Sequence, residues 1–265
     1  MSVSVTGLGE ALRAEWTKAR TLASTGWLLV AAVVLTVGVS TAVAAAVTCP
    51  AGNCAEDPAR ISLTGVYLGQ AVVAILAVLA ISSEYSTGMI RHTLAAMPRR
   101  TTVLAAKAAI LTGLVLASGA IAVLACVLAG QVILRGHGID PAHGYPSLSL
   151  GSAPVLRAAA GSVLYLALIA WLGLGIATAV RDSATAIGVV LGLLYLFPIA
   201  GAVLGGSHLA RLVQQIGPMT AGLAIQATTG LDDLPIRPWA GLGVLAAWAA
   251  AALLAGGLLL RHRDA

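Results

Sequence analysis

Few side chains in this sequence have the type and spacing to do chemistry. Cys49 and Cys54 bracket the segment CPAGNC, and two thiols five positions apart can close a disulfide where the surroundings are oxidising. The other reading is two free thiols in a loop, and the spacing does not choose between them. His137 and His143 stand six apart and could share a metal, but no third His or Cys lies beside them. A structural metal site wants four, so the pair reads as loop residues. A phosphate-cradling loop closes on Gly-Lys-Ser or Gly-Lys-Thr. Both lysines of the chain, Lys18 and Lys107, are followed by Ala. The chain therefore has no such loop of its own. Nor do its apolar runs hold the His, paired carboxylates or metal set of an intramembrane enzyme, and no bound cofactor is expected.

The elements that carry these residues follow from composition. Only 9% of the 265 residues are charged, 59% are hydrophobic, and the mean hydropathy is +0.96. A soluble domain has about 25% charged residues, so neither a water-facing globule nor a disordered chain fits. Charge-free windows run over residues 21–55, 61–83, 108–134, 158–180, 183–210 and 238–260. Each exceeds the roughly 20 residues that cross 30 Å of hydrocarbon as a helix, and in lipid only a helix satisfies every amide within the segment. The expected fold class is an all-α membrane protein in one domain, residues 1–265. Spans are expected at about 27–47, 62–82, 108–134, 158–180, 185–206 and 239–260. A seventh window, 212–231, contains Gln214, Gln215, Gln226 and the pair Gly217-Pro218. That is poor material for a lipid-facing span. Helical pieces that lie on the outer interface or dip into it are expected within 207–237.

Counting basic residues orients the spans. With a cytoplasmic N-terminus, ten fall inside: Arg13, Lys18, Arg20, Arg91, Arg99, Arg100, Lys107, Arg181, Arg261 and Arg263. Five fall outside, namely Arg60, Arg135, Arg157, Arg211 and Arg237. Six spans with both termini cytoplasmic give the stronger bias. A cleaved signal peptide at Ala42-Val43-Ala44 is disfavoured, because the apolar run from Trp27 is longer than a signal core and 26 residues precede it.

Two cytoplasmic elements stand out. Over residues 7–22, Leu8, Leu12, Trp16, Ala19 and Leu22 share one face of a helical wheel, with charges elsewhere. That is an interfacial amphipathic helix with Trp16 at headgroup depth. Glu15 breaks the pattern. Its carboxylate either snorkels to water or pairs with an arginine of the next cytoplasmic loop. That loop, within 83–106, contains EYSTGMIRHTLAAMPRR. Ser83 can cap a helix, Glu84 suits its positive end, and Pro98 stops it, so a helix of about three turns is expected from Glu84 to Met97. Gly88 would sit in its second turn.

The stretch EYSTGMIRHTLAAMPRRTTVLAAK resembles the cytoplasmic signature of the membrane subunits of bacterial type-2 ABC exporters. The matching positions are Glu84, Gly88, Ile90, Arg91, Thr93, Leu94, Pro98, Arg100 and Lys107. EWTKARTLASTGW, with Glu15 and Trp16, resembles the elbow helix before their first span, and WAAAALLAGGLLLRHRDA resembles their last span and tail. The segment 207–237 matches nothing sharply. The resemblance implies a multi-pass permease of the cell membrane, exporting a substrate with energy from two copies of a separate ATPase subunit. ATP and magnesium would be bound by that partner, and the 83–106 loop would couple to it. A second permease, the same chain or a sister, would complete the path, lined by spans two and five. Tyr67 and Gln70 are candidate lining residues there, or simply interhelical hydrogen-bonding groups. Membrane lipid is the remaining partner, and no nucleic acid is expected. The rival reading is a non-transporting membrane anchor or sensor that recruits a cytoplasmic partner through the same loop.

Overall fold

The computed structural model describes residues 5–47, 57–86, 88–89, 100–139 and 145–262, and the described residues contain helices and no strand. In order these are α1 (Val5–Thr21), α2 (Ala23–Ala46), α3 (Pro58–Ser62), α4 (Val66–Ser86), α5 (Arg100–Gly136), α6 (Ala153–Val180), α7 (Ser183–Val203), α8 (His208–Ile216), α9 (Pro218–Leu223) and α10 (Pro238–His262). A 3₁₀ turn at Ala224–Gln226 follows α9. Six helices are long and apolar enough to cross a membrane: α2, α4, α5, α6, α7 and α10. This is the all-helical, six-span polytopic architecture expected from the composition.

Local chemistry sets the breaks. Leu22 is extended and separates α1 from α2. Asp57 caps α3 and Pro58 opens it. The Asp182 carboxylate caps α7, accepting from the Thr185 amide at 2.8 Å and from its hydroxyl at 2.6 Å. Arg181 just before it takes the left-handed conformation, φ 66°, that ends α6.

Two helices run past the ends expected for their spans. α4 does not stop near residue 82 for a new helix to begin at Ser83; it runs on to Ser86. The Ser83 hydroxyl donates back to the Leu79 carbonyl at 2.7 Å, within α4. Gly88 then stands at φ 70°, with its amide on the Tyr85 carbonyl at 3.2 Å. A glycine in that conformation closes a helix, and it cannot be an interior residue of one. α5 likewise begins at Arg100, well before residue 108, and its 37 residues reach about 55 Å. Most of the expected loop helix, including Ile90, Arg91, Thr93, Leu94 and Pro98, lies outside the described residues, as do Cys49 and Cys54.

α4 and α6 form the centre, and α2, α7 and α10 lie around them, their apolar outer faces left for lipid. Contact at the centre is close enough to require glycine. A Cβ on Gly175 of α6 would meet the Ala252 carbonyl carbon of α10 at 2.4 Å, and one on Gly256 would meet the Gly175 oxygen at 2.5 Å. Small residues that let helix backbones touch are how membrane helices gain packing where lipid is as apolar as leucine.

At the end of the bundle opposite α1, the segment after α7 folds inward. α9 and the 3₁₀ turn are buried against α6 and α10. Their polar groups are matched there: Gln226 Nε2 donates to Ser162 Oγ at 3.1 Å, and Arg157 donates to the Ala227 carbonyl. Asp57 accepts from the amides of Thr228 and Thr229 and, at 2.6 Å, from the Thr228 hydroxyl.

Candidate functional site

At the α1 end of the bundle four charged side chains close a ring. Lys107 Nζ, from α5, contacts Glu15 Oε2 of α1 at 2.6 Å and Glu84 Oε1 of α4 at 2.9 Å. Lys18 Nζ, from α1, contacts Glu15 Oε1 at 3.1 Å and Glu84 Oε1 at 2.9 Å. Two carboxylates and two ammoniums alternate, so the cluster is neutral as a whole. Glu15, Glu84 and Lys107 are 7%, 5% and 4% exposed, while Lys18 reaches water with part of its side chain.

The positions follow from helix geometry. Glu15 and Lys18 are three apart and share a face of α1. Ala11, 2% exposed, continues that face, so α1 packs on the bundle along Ala11, Glu15 and Lys18. Trp16 points the other way, 45% exposed, with the Arg20 guanidinium 5.9 Å from its ring. Glu84 sits in the last turn of α4 and Lys107 near the start of α5, the two helices whose facing ends residues 87–99 connect in the chain. The ring therefore fastens α1 to the end of α4 and the start of α5, the helices on either side of that segment. Nearby, the Arg181 guanidinium at the end of α6 lies 5.4 Å from the Tyr85 ring.

Removing ions from water costs several kcal/mol each, and such a group is tolerated only when its partners are in place. Burial lowers the proton affinity of Lys18, but the Glu84 hydrogen bond and the charges of Glu15 and Glu84 outweigh it, and its pKa ends above the usual lysine value of 10.5. One acceptor is left over. Glu84 Oε2 is enclosed and makes no hydrogen bond.

Beside the ring lies a cavity of about 370 Å³ between α1, α2, α4 and α5. Glu15, Lys18, Glu84 and Lys107 line one part of it, and mostly leucines, Ile110 and a few Ser and Thr hydroxyls line the rest. Among the described residues no group of three His, Cys, Asp or Glu could hold a metal ion. His137 instead places Nδ1 3.0 Å from the Val47 carbonyl.

The remaining sequence candidates are scattered. Gln70 is fully enclosed near the other end of α4; its Oε1 accepts from the Tyr165 hydroxyl, and its Nε2 lies 3.1 Å from both the Tyr67 carbonyl and Met219 Sδ. Tyr67 has a partly exposed side chain, and its carbonyl also accepts from the Tyr195 hydroxyl at 2.6 Å. Gly88 closes α4, and Arg100 opens α5.

Sequence reasoning singled out Glu15 as a conflict but named the wrong kind of partner: the carboxylate pairs with lysines, one on its own helix and one on α5. A usable signal was present. Thirteen of the fifteen basic residues are arginine, and both lysines meet in this one cluster. A lysine is a compact point charge with three donors, suited to bridging two carboxylates in a tight space.

No family model matches the chain, and none of the curated proteins matches it.

Proposed function

We propose that the chain is the membrane subunit of an ATP-driven exporter of the type-2 ABC class, with both termini cytoplasmic and the 87–99 loop facing the cytoplasm. A separate ATPase, in two copies, would seat Gly88, Ile90, Arg91, Thr93, Leu94, Pro98 and Arg100 of that loop. A second permease, the same chain or a sister, would face this one across the path.

One observation carries the reading beyond the sequence motif. The loop that resembles a coupling element leaves the membrane between two helix ends that the Glu15–Lys18–Glu84–Lys107 ring ties to α1. A loose loop would absorb a push from a partner. A loop rooted in a closed ring passes it to α1, α4 and α5 together, because none of the three can shift alone without exposing or orphaning a buried charge. Glu84 in this reading does not touch the ATPase; its carboxylate is turned inward and fixes the root of the loop.

The test is capture of the tagged chain from its native membranes, as wild type and as Arg91→Glu. A charge reversal at a desolvated interface loses several times more than the 0–1 kcal/mol or so of an exposed pair. The expected result is a stand-alone ATPase subunit retained with the wild type and depleted with Arg91→Glu, at equal membrane abundance. A wild-type chain that brings down no ATPase would leave the anchor or sensor reading in its place.

A further inference from the structure

The cavity beside the charge ring has the form of a lipid site. Away from the charges and a few hydroxyls its walls are hydrocarbon: Leu22, Leu28, Leu76, Leu79, Ile110 and Leu114 face it from α2, α4, α5 and the bend before α2. Its volume, about 370 Å³, is within the range of small-molecule pockets, about 300–1,000 Å³. Trp16 and Trp27 flank this end of the bundle with their rings 45% and 74% exposed, as tryptophans do at the membrane–water boundary. The charged part of the cavity therefore lies at headgroup depth and the apolar part at chain depth.

The charge pattern says which headgroup fits. The ring is neutral, so a ligand with net charge would leave an uncompensated ion in a place where ions are costly. A zwitterion would not. Glu84 Oε2 is an enclosed acceptor without a donor, and a buried acceptor left unpaired costs about 1–3 kcal/mol. The terminal torsion of a glutamate is broad, so a partial rotation can bring Oε2 toward the cavity that Glu84 lines. Lys18, the one partly exposed member of the ring, offers its ammonium next to that carboxylate. An acceptor without an N–H donor, beside an ammonium that still faces water with part of its side chain, matches a primary ammonium joined to a phosphodiester.

We propose that this cavity binds one molecule of a phosphatidylethanolamine-type glycerophospholipid, its ammonium on Glu84, its phosphate near Lys18 and one acyl chain among the leucines. The bound lipid completes the hydrogen bonding of the ring and fills the gap between α1 and the bundle. The site needs the chain to sit in a bilayer and does not need the exporter reading, so either can fail alone.

The test is native mass spectrometry of the intact purified chain, delipidated and then offered phosphatidylethanolamine or phosphatidylcholine of the same acyl chains. The choline headgroup keeps the charge and has no N–H to donate. Wild type should retain one phosphatidylethanolamine per chain with about tenfold or more preference over phosphatidylcholine, the scale of one hydrogen bond to a charged group. Ala80→Phe places a ring in the cavity without touching the charges and should abolish that one tightly held lipid, with size-exclusion profile and helicity unchanged. Equal retention of the two lipids, or undiminished retention by Ala80→Phe, would overturn the proposal.

Discussion

Removing the Lys107 ammonium should undock α1, and restoring charge balance should largely re-dock it. In Lys107→Met, the side chain keeps its length and loses its charge. Glu15 and Glu84, 7% and 5% exposed, are left to share Lys18 alone, and the buried ring carries a net negative charge. Breaking a buried ion pair from one side costs about 3–5 kcal/mol. At about 1.4 kcal/mol per factor of ten, that raises the undocked population of α1 by at least two orders of magnitude. In Lys107→Met with Glu15→Gln, the Lys18–Glu84 pair remains and the ring is neutral again. Most of the loss should return, to within about tenfold of the parent, because replacing both members of a buried pair is often close to neutral. The reporter is Ala11→Cys, in a background with the three native cysteines changed to serine. Ala11 is 2% exposed against the bundle, so its alkylation rate counts undocking events. Equal rates for the single and double variants would refute the charge-balance argument. So would a Lys107→Met effect smaller than that of Lys18→Met, which leaves the same net charge but removes an ammonium that keeps part of its hydration.

Three further outcomes follow from the packing and the ionisation. Gly175→Ala should destabilise the helix bundle by about 1–3 kcal/mol, since the new methyl meets α10 backbone that cannot yield, while Gly188→Ala, with open space around it, should be neutral or slightly stabilising; unfolding in micelles by circular dichroism separates them. Asp57→Ala removes the cap of α3 and the acceptor of the Thr228 and Thr229 groups, so hydrogen exchange at 225–230 should rise by about tenfold or more with exchange in α4 unchanged. The folded-state pKa of Lys18 lies above its ordinary 10.5, so its contribution to α1 docking is fully present below pH 10.5 and is lost as pH rises through the folded value; proteolytic release of α1 should be flat from neutral pH to about 10 and climb only above that.

Much of this fold was legible in the sequence because lipid leaves the backbone few choices. Charge-free windows of sufficient length become helices, and all six did. Charge did not mark where the helices end. Glu84 and Lys107 looked like the edges of their spans, but each neutralises the other, so α4 and α5 continue through them. Gly88 was assigned to a helix interior on capping and proline signals, and its positive φ shows it ending the helix before. The candidate site was half visible. Glu15 on an apolar face announced a partner, and nothing local could say that the partner was 92 positions away. The same holds for the stretch after α8. Gln226 and the pair Gly217-Pro218 made it unfit for a lipid-facing span, but the groups that let it enter the bundle, Asp57 and Arg157, lie 171 and 70 positions from the residues they bind.

The central claim, that the 87–99 loop is where a cytoplasmic ATPase engages this membrane protein, is tested most directly by a photo-crosslinking amino acid placed at Arg91 in the full chain in its native membranes. The account predicts one dominant protein adduct whose second component is a nucleotide-binding ATPase subunit, with a yield that changes when ATP is trapped unhydrolysed. Adducts to lipid alone, or to a protein without an ATP-binding fold, would contradict it.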